Sequence, residues 1–145
     1  MSEPQPTLSL VTLGVADLAR STAFYEALGF ARKVRGAQGV AFFAAGATAF
    51  AVWPLDELAR DAQAVAAAPP GFRGVSLGWN CRSEAEADAI VERARRAGAT
   101  VRKLPEKTSW GGYAGYFADP DGHLWEVVYN PGFPLAEDGR LVLPD

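Results

Sequence analysis

"LSLVTLGVADLARSTAFYEALG", residues 8–29, changes its apolar periodicity once, and that change marks a strand running into a helix. Leu8–Val15 is apolar and β-branched enough for a strand. Asp17 then supplies an N-cap acceptor, and Gly29 can close the helix in the left-handed conformation. Leu18, Tyr25 and Leu28 share one helical face with Phe24 beside them, so this face is expected to pack against a sheet. Working outward, "FARKVRG" (30–36), "GVAFFAAG" (39–46) and "ATAFAVW" (47–53) are short apolar segments punctuated by turn glycines. The first half therefore reads βαβββ. Phe42 and Phe43 are adjacent, so only one of them can face the core.

The second half repeats the order. "RGVSLGWNC" (73–81) is a strand, Ser83 and Glu86 form a capping box, and Ala87, Ile90, Val91, Ala94 and Ala97 make a helical stripe ending at Gly98. Strands "ATVRKL" (99–104), "YAGYFA" (113–118) and "HLWEVVY" (123–129) follow, the last two joined by the turn "DPDG". Between the halves, "PLDELARDAQAV" (54–65) is expected to be a short helix. "AAAPPGFRG" (66–74) is linker, with Pro69 and Pro70 forcing an extended exit. The expectation is an α+β fold: tandem βαβββ modules sharing one curved mixed sheet around a concave pocket, helices outside. One domain spans 1–145, with module one at about 8–53, a linker at about 54–72, module two at about 73–130 and a C-terminal tail at 131–145.

Composition agrees with a single globular domain of 145 residues, 49% of them hydrophobic. A net charge of -3 offers no broad footprint for nucleic acid, and Arg93, Arg95 and Arg96 read as a solvated helix face. A single cysteine, Cys81, excludes an internal disulfide and reads as a buried structural thiol. No apolar run approaches membrane-spanning length, and the start "MSEPQPTLSLV" lacks a signal peptide's features, so a cytoplasmic protein is expected. "SWGGYAG" has neither the lysine nor the following helix of a phosphate loop.

Two stretches, "VTLGVADLARSTAFYEALGF" and "GYFADPDGHLWEVV", lie in the proper order and halves of the duplicated frame. Over about residues 8–130 the chain resembles the vicinal oxygen chelate superfamily, which includes glyoxalases, extradiol dioxygenases and bleomycin-resistance proteins. Metal-dependent members take four ligands, usually His and Glu, from the first and last strands of each half. The resemblance puts those positions at Leu10, Ala51, Ser76 and Glu126. An alkyl group, a methyl and a hydroxyl cannot replace imidazole or carboxylate around a divalent cation. His123 does not supply the deficit, since residues three apart on a strand face opposite ways and lie about 10 Å apart. It is expected to be an exposed residue after a type I turn.

Glu126 shares strand parity with Leu124 and Val128 and is expected to point into the concavity. It would act there as a general base, as an anchor for a cationic or hydroxylated ligand, or as a chemically idle, hydrogen-bonded acid. By the same parity Leu10, Thr12 and Gly14, with Ser76, Gly78 and Asn80, line the concave face, while Trp53, Trp110, Tyr113 and Tyr116 stand near its mouth or pack at strand edges. The leading expectation is a metal-independent protein of the glyoxalase/bleomycin-resistance type, without cofactor, that sequesters a small molecule such as an antibiotic or metabolite. The ligand set is then Leu10, Thr12, Trp53, Ser76, Asn80, Trp110, Tyr113, Tyr116 and Glu126. One alternative is a glyoxalase-like lyase or isomerase that uses Glu126 catalytically with a divalent metal; whether any reaction is catalysed stays open. Another is a structural module acting through its tail. The resemblance and the apolar tail both point to a homodimer, with no nucleic-acid or membrane partner.

Overall fold

A computed structural model describes residues 3–66 and 71–145. The expected extended exit at Pro69 and Pro70 lies outside the described residues. Strand β1 (Leu10–Val15) leads to helix α1 (Leu18–Leu28), then β2 (Ala31–Lys33), β3 (Ala41–Ala45) and β4 (Thr48–Pro54). Helix α2 (Leu55–Asp61) follows. The second module runs β5 (Ser76–Cys81), α3 (Glu84–Ala97), β6 (Thr100–Lys107), β7 (Tyr113–Ala118) and β8 (Leu124–Tyr129).

The helix boundaries follow local chemistry. Asp17 accepts a hydrogen bond from the Arg20 amide and Ser83 from the Glu86 amide, while Gly29 and Gly98 close both long helices at positive φ. The Glu86 carboxylate reciprocates at Arg82, one residue before the cap. Two elements are shorter than their apolar patterns suggest. Val34 at φ 48° ends β2 early, and Gln63 at φ 55° lies just past the end of α2. β6 is longer than expected, because two register shifts let it continue through Pro105 at the sheet edge.

The strands make two four-stranded mixed sheets, ordered β1-β4-β3-β2 and β5-β8-β7-β6, with the helices outside them. Ladder pairing stops at the edge strands β1 and β5 instead of joining all eight strands. The reason lies in the aromatic rings at the junction: Phe30 packs 5.0 Å from Phe50 and 5.1 Å from Trp79, and Phe50 lies 5.6 Å from Trp125. These rings draw the apolar faces of the two sheets into one core with α1 and α3. Phe43 is the inward member of its pair, fully buried, while Phe42 is half-buried on the other face. Tyr25 sits at the centre, in ring contact with Phe43, Phe50 and Trp125.

A polar clasp completes the joint. The turn between β7 and β8 docks on the β1–α1 junction: Asp121 accepts from the Ala16 amide at 2.8 Å and the Ser21 hydroxyl at 3.0 Å, and faces Arg20. Buried Asp119 accepts from the Tyr25 hydroxyl at 2.6 Å and from the amides of Asp121 and His123. Trp125 Nε1 in turn donates to the Tyr25 oxygen at 3.1 Å. His123 is therefore half-buried, not exposed as its sequence context suggests. Its Nε2 lies 2.7 Å from the Gly14 carbonyl, which only accepts, so Nε2 donates there, and the Arg73 guanidinium lies 3.3 Å from Nδ1 and 3.4 Å from Nε2. Burial first, and then the charge of Asp119, hold the Tyr25 phenol well above its ordinary range.

The tail folds back on its own chain. Leu135 and Leu141 form a bridge, and the Ala136 carbonyl accepts from Arg82 at 2.7 Å. The Asp138 carbonyl lies against the Gly46 turn. The arginine-rich stretch of α3 is engaged as well: Arg95 and Arg96 pair with Glu92, and Arg93 donates to the Ala27 carbonyl.

Candidate functional site

Because strand residues alternate, placing Val11, Leu13 and Val15 in the core turns Leu10, Thr12 and Gly14 to the opposite face. The same logic places Ser76, Gly78 and Asn80 opposite Leu77, Trp79 and Cys81. In the parallel ladders Thr12 pairs with Ala51 and Gly78 with Glu126. The four positions implied by the resemblance thus share one diagonal offset: Leu10 lies two residues before the partner of Ala51, and Ser76 two before the partner of Glu126. The two halves repeat one register, but the side chains at these positions lack a metal site's donors. Leu10 and Ala51 have no donor atom, Ser76 has a neutral hydroxyl, and Glu126 alone is a carboxylate, so these residues do not fit a divalent cation.

Glu126 is half-buried, and its Oε2 accepts from the Tyr116 hydroxyl at 2.9 Å across the β7–β8 ladder. That hydrogen bond, followed by desolvation, raises the Tyr116 phenol above its ordinary range. A cavity of about 710 Å³ lies beside this pair, bounded by Phe72, Arg73, Ser76, Arg102, Lys103, Tyr116 and Leu124. Its size suits a small organic ligand. Glu126 does not line it; the tyrosine does.

The remaining candidates are dispersed. Tyr113 faces the other way and donates to Asp88 of α3 at 2.7 Å, a hydrogen bond that raises its phenol. Trp110 is 53% exposed, its ring folded over Gly112, and does not border the cavity. Trp53 is half-buried opposite Gly14 on β4, while Leu10 is exposed at the edge of the first sheet. Asn80 borders a second cavity, together with Phe30, Trp79 and the tail's Asp138. None of the four main cavities is lined both by Leu10, Thr12 or Trp53 and by Ser76, Tyr116 or Glu126. Cys81 is buried, which pushes its thiol up, and its Sγ donates to the Val128 carbonyl at 3.5 Å, the setting of a structural thiol.

Phe72, Arg73, Arg102 and Lys103 are wall residues that sequence reasoning missed. Phe72 and Arg73 belong to "PGFRG", which looks like a connector. Arg102 and Lys103 belong to a strand whose bulges break the parity rule.

Against known proteins, the family model described as Glyoxalase/Bleomycin resistance protein/Dioxygenase superfamily matches residues 7–127. A glyoxalase-related enzyme from Fulvimarina pelagi is similar over 97% of this chain and 100% of its own, at 32% identity and a TM-score of 0.88. A glyoxalase/bleomycin resistance protein/dioxygenase from Nocardioides aligns at 28% identity over 88% of this chain and 85% of its own, with a TM-score of 0.73. A hypothetical protein from S. aureus aligns at 25% identity over 88% and 96%, with a TM-score of 0.77. No curated protein matches the chain. No helix among the described residues is long and apolar enough to cross a membrane. With its duplicated βαβββ frame and its match over residues 7–127, the chain belongs to the Glyoxalase/Bleomycin resistance protein/Dioxygenase superfamily.

Proposed function

We propose that this protein binds a small organic molecule without a metal, in the cavity beside the second sheet. The observation that carries the reading is the cavity of about 710 Å³ walled by Phe72, Tyr116 and Leu124, set beside ligand positions that keep one donor carboxylate. Sequestration needs a complementary wall and no reaction, so it survives the loss of the other three donors. Glu126 acts here as the partner that fixes the Tyr116 ring, leaving the tyrosine to meet the ligand. The lone buried thiol of Cys81 suits the cytoplasm as the setting.

Phenylnaphthylamine, a neutral fluorescent probe, tests the cavity directly. Ser76 is exposed and lies on the wall, so Ser76→Trp fills space without entering the core. Wild type is expected to bind the probe equally well with and without excess chelator, and Ser76→Trp to weaken binding at least tenfold. Binding that needs an added divalent cation would overturn metal independence, and an unaffected Ser76→Trp would remove the ligand from this cavity.

The same reading makes the protein a homodimer. On the face bearing Leu10, Thr12 and Trp53, α2 packs at the Gly14 end through Leu55, while Leu10 remains exposed on that face and Phe72 and Val75 beside the second sheet. Apolar groups gathered on otherwise finished modules are covered in most proteins. Light scattering at micromolar concentration is expected to give twice the 15.4 kDa chain mass. A monomeric mass would refute the dimer.

A further inference from the structure

We infer that the ligand is an amphipathic anion: a small aromatic or aliphatic body carrying one carboxylate, sulfonate or phosphate group. This deepens the proposed function and rests on the cavity being the binding site. Three cations border the cavity, Arg73, Arg102 and Lys103, against one carboxylate, Asp121. Asp121 is already committed. One oxygen accepts from the Ala16 amide and faces Arg20 at 3.6 Å, and the other accepts from Ser21. Lys103 is matched by Glu106 at 3.2 Å. Arg73 donates to the Asp121 carbonyl at 2.6 Å, lies 3.3 Å from the His123 ring and pairs with no carboxylate among the described residues. Arg102 makes no hydrogen bond or ion pair with any described residue.

Two guanidinium groups therefore border an apolar hollow with no counter-charge of their own. Guanidinium recognises carboxylate, sulfonate and phosphate through paired N–H donors, and does so more strongly where neighbouring apolar surface excludes water. Phe72 and Leu124 supply that surface, with the Tyr116 ring beside them. A cationic ligand would meet the reverse arrangement, since Glu126 is turned from the wall and engaged by Tyr116.

Two probes that share a skeleton separate the possibilities: anilinonaphthalene sulfonate, and phenylnaphthylamine, which lacks the sulfonate. Wild type is expected to bind the sulfonate at least tenfold more tightly, with the preference shrinking as salt rises. Arg102→Gln should weaken the sulfonate about tenfold and leave the neutral probe within twofold, and Arg102→Lys should restore part of the loss. Because Arg102 holds nothing else in place, this variant keeps the fold. Arg95→Gln on α3 removes the same formal charge far from the cavity wall and should change neither affinity. Equal affinity for the two probes, or an Arg102→Gln indistinguishable from wild type, overturns the anionic ligand while leaving the cavity as a binding site. If neither probe binds, the proposed function fails together with this inference.

Discussion

Asp119→Ala is expected to lower stability by about 3 kcal/mol, because a buried phenol and two backbone amides lose an ionised acceptor together. The Tyr25 hydroxyl dominates, since it lies in the core where water cannot replace the carboxylate. Asp119→Asn keeps an acceptor and should cost about a third as much. Urea unfolding reads both values, and an Asp119→Ala protein within about 0.5 kcal/mol of wild type would show the clasp to be ornamental. A pH arm isolates the tyrosine. Its phenol is raised well above the usual 10.0, first by burial and then by Asp119, so above that pH the folded state keeps a proton that the unfolded chain releases. This contribution is whole below about pH 10 and declines as pH rises further. Tyr25→Phe should flatten that alkaline decline.

Gly115→Ala is expected to cost about 3 kcal/mol, near the upper end for overpacking, and to disable the cavity as well. A Cβ at this strand position would stand 2.6 Å from the Lys103 carbonyl and 2.7 Å from the Pro105 nitrogen. Both are backbone atoms of β6, so no rotamer change relieves the clash; the strand itself must retreat. The displaced segment carries Arg102 and Lys103, and Tyr116 is the adjacent residue. Gly112→Ala is the informative contrast, because the atoms it meets belong to the exposed Trp110 side chain, which can swing away. Thermal unfolding combined with a probe titration should show Gly115→Ala impaired in both respects and Gly112→Ala mildly affected. A Gly115→Ala protein of native stability and affinity would mean that β6 yields freely there.

The framework was legible in the residues because caps and apolar periods are local signals. Asp17, Gly29, Ser83 and Gly98 stand where the helices begin and end, and strand parity correctly separated Leu10, Thr12, Ser76 and Glu126 from the core. What could not be read depends on contacts between distant residues. Whether β1 and β5 join into one sheet is decided by rings from four different segments. Tyr113 and Tyr116 are both polar aromatics of one strand, and only their partners, Asp88 and Glu126, reveal their different tasks. The charged wall escaped notice because bulged β6 abandons alternation and because Phe72 and Arg73 lie in what reads as a connector.

The docking of the "DPDG" turn against the start of α1 also makes the two repeats unequal partners. Tyr25 of the first repeat takes its acceptor from Asp119 of the second, and the Gly14 carbonyl takes its donor from His123. At the corresponding place in the other repeat, the Gly46 turn offers no carboxylate, and residues 136–138 of the tail occupy the interval between it and Arg82. The halves have thus ceased to be interchangeable. Either half expressed alone would bare the aromatic junction, and the first would strand its central phenol, so the two repeats complete each other at the level of individual hydrogen bonds.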